Sequence, residues 1–211
     1  MALILGAALS YLVGSIPSAY LLGRLSRGID IRKYGSGNVG ATNAFRVLGR
    51  WLGIAVLLLD SLKGIICVVF IADFIIQQAA SIEALLLRVL LGMVAVIGHS
   101  FSVFLKFKGG KGMATTLGVL IGLCLKAASL KIILLAELLI WLAVFLLSRI
   151  VSLASIVSAV FFPVFFIVFK QPLPLILMSL ALSLFVISRH KSNIYRLLHN
   201  QEPRLKSAPP K

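Results

Sequence analysis

The chain has 211 residues, of which 60% are hydrophobic and 13% are charged, and its formal net charge is +15. Soluble domains average about half apolar residues, so this composition argues against a soluble domain and indicates a membrane protein. The cations lie at the ends of apolar segments and form no separate basic domain, so no nucleic-acid partner is expected.

Apolar segments recur along the chain and predict an all-α protein with seven transmembrane helices in a single domain, residues 1–211. Several segments are short for a full crossing, which takes about 20 residues in a straight helix. No basic residue precedes the first segment, so we interpret it as a retained span and not as a signal peptide. The seven segments are residues 2–23, 51–72, 82–100, 112–128, 131–148, 151–169 and 172–188.

The lysines and arginines are divided unequally between the two membrane faces that seven crossings create. One face receives only Lys126, Lys131 and Lys170, while Lys63 and Arg88 lie inside apolar runs. All the other cations, including those of the C-terminal tail, fall on the opposite face. Because multi-pass proteins concentrate cations in the cytoplasm, we predict an external N-terminus and a cytoplasmic C-terminus. Three unusual polar stretches then face the cytoplasm.

The first polar stretch contains the glycine-rich run GSGNVGATN, residues 35–43. Glycines allow neighbouring N–H groups to converge on one anion, and polar side chains add neutral donors. These donors are Ser36, Asn38, Thr42 and Asn43. Thr42 or Asn43 is expected to cap a following helix on which Arg46 and Arg50 share one face. The alternative is a polar interfacial turn followed by an amphipathic helix.

The second polar stretch, residues 98–116, places the run GGKG directly before an apolar segment. This run is similar to a phosphate-binding loop, but Gly112 follows Lys111 where a Walker A loop requires serine or threonine. No β-strand is expected before it either. We therefore predict anion binding without nucleotide hydrolysis. The alternative is a flexible loop that carries ordinary cytoplasmic lysines.

The third polar stretch, residues 188–198, follows the last predicted span. If it is helical, Arg189, Asn193 and Arg196 share one face, and His190 lies beside them. His190 either acts as a general base or only holds a substrate, and a substrate phosphate could serve as the base instead. The neighbouring cations are expected to lower the pKa of His190 and keep it neutral.

Together these three stretches resemble the signature motifs of the bacterial PlsY family, membrane glycerol-3-phosphate acyltransferases that use acyl phosphate. The resemblance covers essentially the whole chain. It implies transfer of an acyl chain from acyl phosphate to the 1-hydroxyl of glycerol 3-phosphate at the cytoplasmic face of the bacterial inner membrane. The products are lysophosphatidic acid and inorganic phosphate, as in phospholipid synthesis. The resemblance also implies contact with membrane lipids, a link to the soluble enzyme that makes acyl phosphate, and no metal or cofactor.

The resemblance implies roles for the matching residues. Catalytic roles fall to Ser36, His190 and Asn193. Substrate phosphate or glycerol binding falls to Gly37, Asn38, Thr42, Arg46, Lys106, Gly109, Gly110, Lys111, Gly112 and Arg196. Two residues depart from the family pattern, because Ser102 stands where proline is expected and Asn200 where glycine is expected. These departures leave the local loop geometry open.

Four ionisable residues lie within apolar runs, where charge is costly: Asp60, Lys63, Arg88 and Glu137. The i, i+3 spacing of Asp60 and Lys63 predicts a structural ion pair, and direct substrate contact is the alternative. Arg88 is considered as a partner for Glu137. His99 and His199 are expected to be interfacial side chains rather than site residues.

Two classes without enzymatic activity compete with the acyltransferase interpretation. A transporter for phosphate or an organophosphate usually has its polar site near the bilayer midplane, at broken helices. A membrane scaffold does not need three donor-rich loops. The predicted clustering of these loops at one face favours the enzyme.

Overall fold

The structure, a computed structural model, describes residues 1–78 and 83–205. All regular secondary structure within these ranges is helical, which confirms the predicted all-α class. Internal contacts divide the chain into two compact units, Met1–Ala128 and Ser129–Lys211. The single domain therefore stays a prediction. Lys206 and Lys211, assigned to the cytoplasmic face, and the start of the predicted span 82–100 lie outside the described residues.

The helices of the first unit are interrupted where the chain turns. Pro17 separates the first two helices, because its ring fixes φ and it has no N–H to donate. Gly28 and Gly49 follow helix ends with φ of 66° and 94°, a region that favours glycine. A π-helical segment, Cys67–Ile71, continues the fourth helix into the fifth. The described helices are α1 (Ala2–Ser15), α2 (Ser18–Arg27), α3 (Ala41–Leu48), α4 (Arg50–Ile66), α5 (Ala72–Gln78), α6 (Ala84–Ser100) and α7 (Met113–Lys126).

The second unit contains two long apolar helices followed by a bent pair. Arg149 ends the first of them with φ of 60°, and Pro172 precedes the third helix. The chain bends by 61° at His190 before the last, short helix. The described helices are α8 (Lys131–Ser148), α9 (Val151–Val168), α10 (Leu173–Arg189) and α11 (Lys191–Leu198).

Five helical segments in the described ranges are long and apolar enough to cross a membrane, and the bent pair α10–α11 is a sixth if it counts as one span. The remaining predicted span, residues 112–128, forms α7, whose 14 residues extend only about 21 Å. The hydrocarbon core of a bilayer is about 30 Å thick. The chain is thus an all-helical protein with several candidate spans, while seven crossings and their orientation stay predictions. The five segments are Ala2–Arg27, Arg50–Gln78, Ala84–Leu105, Ala128–Ser148 and Val151–Val168.

Small residues bring helix backbones into direct contact in the first unit. A Cβ built on Gly14 of α1 would collide with the backbone of Ala95 in α6. A Cβ on Gly118 of α7 would collide with the backbone of Ser61 in α4. Lipid tails are as apolar as leucine, so helices in a bilayer associate through close packing of this kind. The first unit therefore holds α6 and α7, which flank the second polar stretch, tightly against α1 and α4.

Buried charges in the first unit are paired. Lys63 Nζ lies 2.5 Å from Asp60 Oδ1, which confirms the ion pair predicted from their spacing. Arg88 bonds to Asp73 at 2.5 Å and to the carbonyl of Val68 at 2.7 Å. The sequence analysis considered Arg88 as a partner for Glu137. The structure instead pairs Arg88 with Asp73. The physical reason is that Asp73 lies on a helix that packs against α6 in the same unit.

Glu137 of the second unit has a neutral partner. Ser158 of α9 donates a hydrogen bond to Glu137 Oε2, and Trp141 Nε1 donates to Ser155 Oγ at 3.3 Å. Polar groups of α8 and α9 therefore face each other, while most other side chains of α8 are exposed or half-buried. Polar contacts between apolar helices are expected in a bilayer, where an unsatisfied polar group is costly.

Candidate active site

A break between α1 and α2 creates a polar cleft in the first unit. The carbonyl of Ile16 accepts hydrogen bonds from Lys63 Nζ at 2.5 Å and from the Ser18 amide at 3.1 Å. The carbonyl of Ser15 accepts a bond from Ser102 Oγ at 2.6 Å. Helix ends leave carbonyls without helical partners, and here α4 and the second polar stretch satisfy them. The lining residues of the cleft are Ser15, Ile16, Pro17, Ser18, Val39, Asp60, Lys63, His99, Ser102 and Leu105.

Asn43 organises the first glycine-rich loop from the inside. Its side chain is almost completely buried, at 1% exposure. Nδ2 donates to the carbonyls of Asn38 at 2.9 Å and Tyr34 at 3.1 Å, and it lies 3.4 Å from that of Ile31. Oδ1 accepts from the Ser36 amide at 2.9 Å. One buried amide therefore holds the whole loop in shape, a role that differs from the helix cap expected for this residue.

Helix α3 begins after Gly40, which occupies the N-cap position without a side-chain hydrogen bond. The expected cap by Thr42 or Asn43 is therefore wrong, because both residues already lie within the helix. The expected shared face of Arg46 and Arg50 is wrong too. Gly49, with φ of 94°, ends α3, and Arg50 begins α4, so the two arginines lie on different helices.

Gly35 and Gly37 supply the backbone conformation that the first loop needs. Their φ angles are 60° and 71°, and a Cβ on Gly35 would collide with Asn43 Oδ1. The Asn38 side chain accepts from the Gly40 amide at 2.9 Å, which closes the turn before α3. Ser36 remains exposed at the outer edge of this loop. Ser36, Gly37 and Asn38 thus lie on one ordered loop, whereas Thr42 and Arg46 lie on the helix that follows it.

The second glycine-rich loop folds back onto the end of α6. The Gly109 amide donates to the carbonyl of Ser100 at 3.0 Å, and the Gly110 amide donates to that of His99 at 3.0 Å. A Cβ on Gly109 would collide with the His99 carbonyl, and one on Gly110 would collide with His99 Nε2. These glycines are required for close packing. Their two amides already donate to protein carbonyls, so these amides do not form the anion cradle expected from the sequence.

The backbone of the second loop is strained at one point. Lys106 and Phe107 have φ of 53° and 61°, and both lack the freedom of glycine. Residues held in this region cost energy, and such conformations cluster at functional sites. Lys106 is exposed, whereas Leu105 beside it packs in the same apolar core as Val39 of the first loop. The strained turn thus presents a cation while its neighbour anchors the two loops together.

None of the ten residues that line the cleft was predicted as a site residue, and three of them are ionisable: Asp60, Lys63 and His99. His99 Nδ1 lies 3.7 Å from Asp60 Oδ1, and the His99 side chain is 6% exposed. Asp60 Oδ2 is buried and has no hydrogen-bond partner among the described residues. Ionisable residues inside an apolar segment are a signal for a functional site, and this signal was available in the sequence for Asp60 and Lys63. Nothing in the sequence links His99 to either residue.

The two departures from the family pattern fit the observed backbone. Ser102 has φ of −61°, the value that proline adopts. Asn200 has φ of 56°, in the left-handed region that favours glycine and that asparagine tolerates. Ser102 and Asn200 therefore adopt the backbone conformation that the expected proline and glycine would have at these positions.

The third stretch lies in the second unit and is bent. Arg189 is the last residue of α10, whereas Asn193 and Arg196 lie on α11. The expected single face for these three residues is therefore wrong, because the helix turns at His190. His190 is buried, and its Nδ1 lies 2.7 Å from the carbonyl of Val186. A carbonyl only accepts, so Nδ1 carries the hydrogen and Nε2 is the basic nitrogen of the neutral ring.

Glu202 joins the third stretch, although the sequence did not single it out. Its carboxylate accepts 2.6 Å bonds from Asn193 Nδ2 and Arg196 Nε, and another from Ser152 Oγ at 2.6 Å. Burial acts to raise the pKa of Glu202, but these three donors hold it below its ordinary value. The carboxylate therefore fixes both side chains, and Arg196 shares its positive charge with a protein group.

The chain is similar to proteins of one family along almost its entire length. A family model described as glycerol-3-phosphate acyltransferase matches residues 4–200. A glycerol-3-phosphate acyltransferase of Fusobacterium nucleatum is 42% identical over 198 residues, which cover 94% of this chain and 95% of that protein.

Two solved structures are also similar to this chain. Both are described as PlsY (YgiH), an integral membrane glycerol 3-phosphate acyltransferase, one in the glycerol 3-phosphate form and one in the lysophosphatidic acid form. Each is 35% identical to this chain and covers 98% of it, with 96% of the solved chain covered in turn. The TM-scores are 0.83 and 0.81, respectively. The likeness therefore extends to the fold of the described residues.

Proposed function

Because this chain belongs to the glycerol-3-phosphate acyltransferase family, we propose that it transfers an acyl chain from acyl phosphate to the 1-hydroxyl of glycerol 3-phosphate. The products are lysophosphatidic acid and inorganic phosphate. The single observation that carries the proposal is the packing of two glycine-rich, cation-bearing loops into one apolar cluster, through Val39 and Leu105, in a highly apolar helical protein. Such an arrangement suits a substrate with a phosphate at one end and a fatty chain at the other.

The acceptor is supported by the names of similar structures. The solved PlsY chains are described in a glycerol 3-phosphate form and in a lysophosphatidic acid form. These two molecules are the acceptor before the transfer and the product after it. The same acceptor and product are proposed for this chain, which matches those structures over 98% of its length.

Acyl phosphate as the donor is supported by the distribution of charge. Thioester-using glycerolipid acyltransferases carry the pattern His-x-x-x-x-Asp, in which the acid orients a basic histidine. Phe104, Tyr195 and Arg204 occupy the corresponding positions after the three histidines. Asp60 does approach His99 in the folded chain, but the Nε2 edge of that ring lies under Gly110. The exposed cation at Lys106 suits a departing phosphate, which a thioester does not have.

An acyl phosphate is already activated, so the protein does not need a strongly activating nucleophile or base. Its tasks are to position the two substrates and to stabilise the charge on the departing phosphate. The acceptor hydroxyl oxygen attacks the acyl carbonyl carbon, the bond from that carbon to the phosphate oxygen breaks, and inorganic phosphate leaves. The hydroxyl proton passes either to His190 Nε2 or to a substrate phosphate. Asn193, held by Glu202, orients a substrate.

Most of the remaining predicted site residues bind substrate in this proposal. Ser36, placed at the exposed edge of the first loop, orients the glycerol moiety. The phosphate groups are bound by side chains and by backbone amides at loop and helix starts. The phosphate-binding residues are Asn38, Thr42, Arg46, Lys106, Lys111, Gly112 and Arg196, while Gly37, Gly109 and Gly110, whose amides donate to protein carbonyls, shape the two loops.

A comparison of donors tests the proposal. Purified protein in detergent would be given glycerol 3-phosphate with palmitoyl phosphate, palmitoyl-CoA or palmitoyl-acyl carrier protein, and lysophosphatidic acid would be measured. We expect product only with palmitoyl phosphate. Comparable turnover with either thioester would refute the donor, and no product with any donor would refute the acyltransferase.

Matched lysine variants refine that assay. Lys106→Ala removes the cation of the strained turn and is expected to lower kcat/KM by about 100-fold, as when one transition-state donor is lost. Lys33→Ala removes an exposed cation outside the proposed site and should have little effect. Equal losses in the two variants would mean that general surface charge, rather than a phosphate contact, supports activity.

The location follows from the same proposal. The protein lies in the bacterial cytoplasmic membrane, with its N-terminus outside, its C-terminus inside, and lipids around its apolar helices. It receives acyl phosphate from a soluble enzyme. Single cysteines at position 36 and in the C-terminal tail should react with an impermeant thiol reagent only after the cells are opened. Labelling of either cysteine in intact cells would contradict this orientation.

A further inference from the structure

The Asp60–Lys63 ion pair has no role in the reaction as derived above, although it borders the cleft beneath the two loops. Lys63 Nζ is shared between Asp60 and the carbonyl of Ile16, both at 2.5 Å. The pair is therefore fixed to the broken end of α1. A buried carboxylate held in this way provides a rigid negative charge in an apolar segment.

His99 lies between this ion pair and the second glycine-rich loop. Its Nδ1 is 3.7 Å from Asp60 Oδ1, and its Nε2 edge meets the position where a Cβ of Gly110 would lie. The backbone of the same residue accepts the hydrogen bond from the Gly110 amide at 3.0 Å. The loop thus rests on both the side chain and the backbone of one residue.

Asp60 can still accept a further hydrogen bond. The carboxylate is 1% exposed, and its Oδ2 has no partner among the described residues. A buried acceptor without a partner is costly, so any movement that brings a donor to it is favoured. The 3.7 Å distance joins His99 Nδ1 to the other carboxylate oxygen, Oδ1, and is longer than a hydrogen bond. Contacts of this kind often shorten when a substrate binds.

We propose that His99, oriented by the Asp60–Lys63 pair, is a positioning residue that sets the glycine loop at residues 109–112 for substrate phosphate. His99 touches the loop and not the reacting atoms. Its loss should therefore weaken phosphate binding more than it slows the chemical step. This inference rests on the proposed function, since it assigns the loop to the phosphate of glycerol 3-phosphate.

Kinetic variants test the proposal. His99→Asn removes the ring beneath Gly110 but leaves the Asp60–Lys63 pair intact. We expect it to raise the KM for glycerol 3-phosphate about tenfold and to change kcat by less than about threefold. Asp60→Asn should raise the same KM through His99, so the double variant should be no worse than His99→Asn alone. Additive effects would overturn the link between the two residues.

Asp73→Asn is the matched control. It removes another carboxylate that pairs with cations of the first unit, Arg88 and Lys126, and it should leave this KM unchanged. A similar rise in KM for Asp73→Asn would mean that any lost ion pair disturbs the protein. A fall in kcat at constant KM for His99→Asn would mean that His99 contacts the reacting atoms, which also overturns the proposal.

A spin label provides a readout that needs no substrate. The label would be attached at Lys108→Cys, an exposed position in the loop, after both native buried cysteines are replaced by alanine. We expect greater label mobility in His99→Asn than in the parent or in Asp73→Asn. Unchanged mobility would overturn the proposal. If the parent protein makes no lysophosphatidic acid, the proposed function fails, and the label still decides whether His99 holds the loop.

Discussion

The two glycine-rich loops of the first unit look alike in sequence but are held in different ways. The first loop is organised by one buried side chain, that of Asn43, which bonds to backbone groups around it. The second loop is held by its own backbone, through amides that donate to the end of α6. Gly35 and Gly37 supply positive φ, and Gly35 also leaves room for the Asn43 side chain, whereas Gly109 and Gly110 have no positive φ and supply space.

This difference shows that a glycine-rich run does not by itself indicate which property of glycine is used. Positive φ and the absence of a Cβ are separate properties, and substitutions distinguish them. It also shows that a cradle of amides cannot be inferred from glycines alone. In the second loop, two of the expected amides already have protein acceptors.

The largest effect is expected when the organiser of the first loop is lost. Asn43→Ala removes three well-formed hydrogen bonds, those to Ser36, Tyr34 and Asn38, and should destabilise the protein by roughly 3 kcal/mol. Melting in detergent would measure this loss. Asn38→Ala removes the side-chain acceptor of the Gly40 amide and should cost about 1 kcal/mol. Equal destabilisation by the two variants would show that Asn43 has no special role.

A steric substitution should break the second loop. Gly109→Ala places a Cβ against the His99 carbonyl and within 2.9 Å of the Ser100 backbone, so the backbone must shift at a cost of about 2 kcal/mol. Gly28→Ala is the matched control, because it adds a Cβ in open space at φ of 66° and should cost only about 1 kcal/mol. The two melting temperatures compare the cost of a steric collision, at residue 109, with the cost of a side chain at positive φ, at residue 28. A larger loss of stability for Gly28→Ala would contradict the expectation that the collision costs more.

Gly110→Ala should act on substrate binding. Its Cβ would press on the His99 ring, which is buried and has little room to move. We expect the KM for glycerol 3-phosphate to rise about tenfold with a smaller change in kcat. Steady-state kinetics would separate these values, with Lys108→Ala as a control in the same loop. A fall in kcat at constant KM would instead indicate that the loop acts on the transition state.

The stability of the segment before the first loop should depend on acidic pH, because it contains the carboxylate of Asp30. The second polar stretch, residues 98–116, contains no carboxylate. Asp30 accepts hydrogen bonds from the Arg32 guanidinium and amide, and the guanidinium lowers the pKa of Asp30 from 3.8 to about 2. A lowered folded-state pKa gives stability that is present above the unfolded value and is lost as the pH falls through the folded value.

Melting of Asp30→Asn should reveal this contribution. The gap in melting temperature between the parent and the variant should be constant near neutral pH and shrink as the pH falls from 3.8 to about 2. Arg32→Gln removes the same contact from the other partner and should give the same pattern. A gap that grows in acid would contradict the assignment.

The smallest effect is expected at the contact that ties the second loop to α1. Ser102→Ala removes the hydrogen bond from Oγ to the Ser15 carbonyl and should cost about 1 kcal/mol, measured by melting. Ser26→Ala is the control, since the Ser26 hydroxyl donates to the Leu22 carbonyl of its own helix and ties no loop to another helix among the described residues. Its removal should be close to neutral. A neutral Ser102→Ala would mean that the loop needs no such connection.

Much of the fold could be predicted because the signal is local. Each apolar run is long enough to identify a helix, and the spacing of Asp60 and Lys63 predicts that they pair within one turn. The two glycine-rich loops and the buried His190 were also placed in candidate motifs from sequence. The positions of helix ends were harder to predict. The bend at His190 separates Arg189 from Asn193 and Arg196, and no proline or glycine marks it.

The sequence by itself determined that this is an apolar, all-helical chain with cation-rich polar loops, because helix formation in lipid depends on composition over about 20 neighbouring residues. Only the tertiary structure decided how the loops are held. Ser102 meets Ser15, and His99 approaches Asp60, across long separations along the chain. Such contacts depend on which helices pack together, and residue spacing does not encode that packing directly. Whether a loop glycine is needed for its positive φ or for the absence of a Cβ also depends on these contacts.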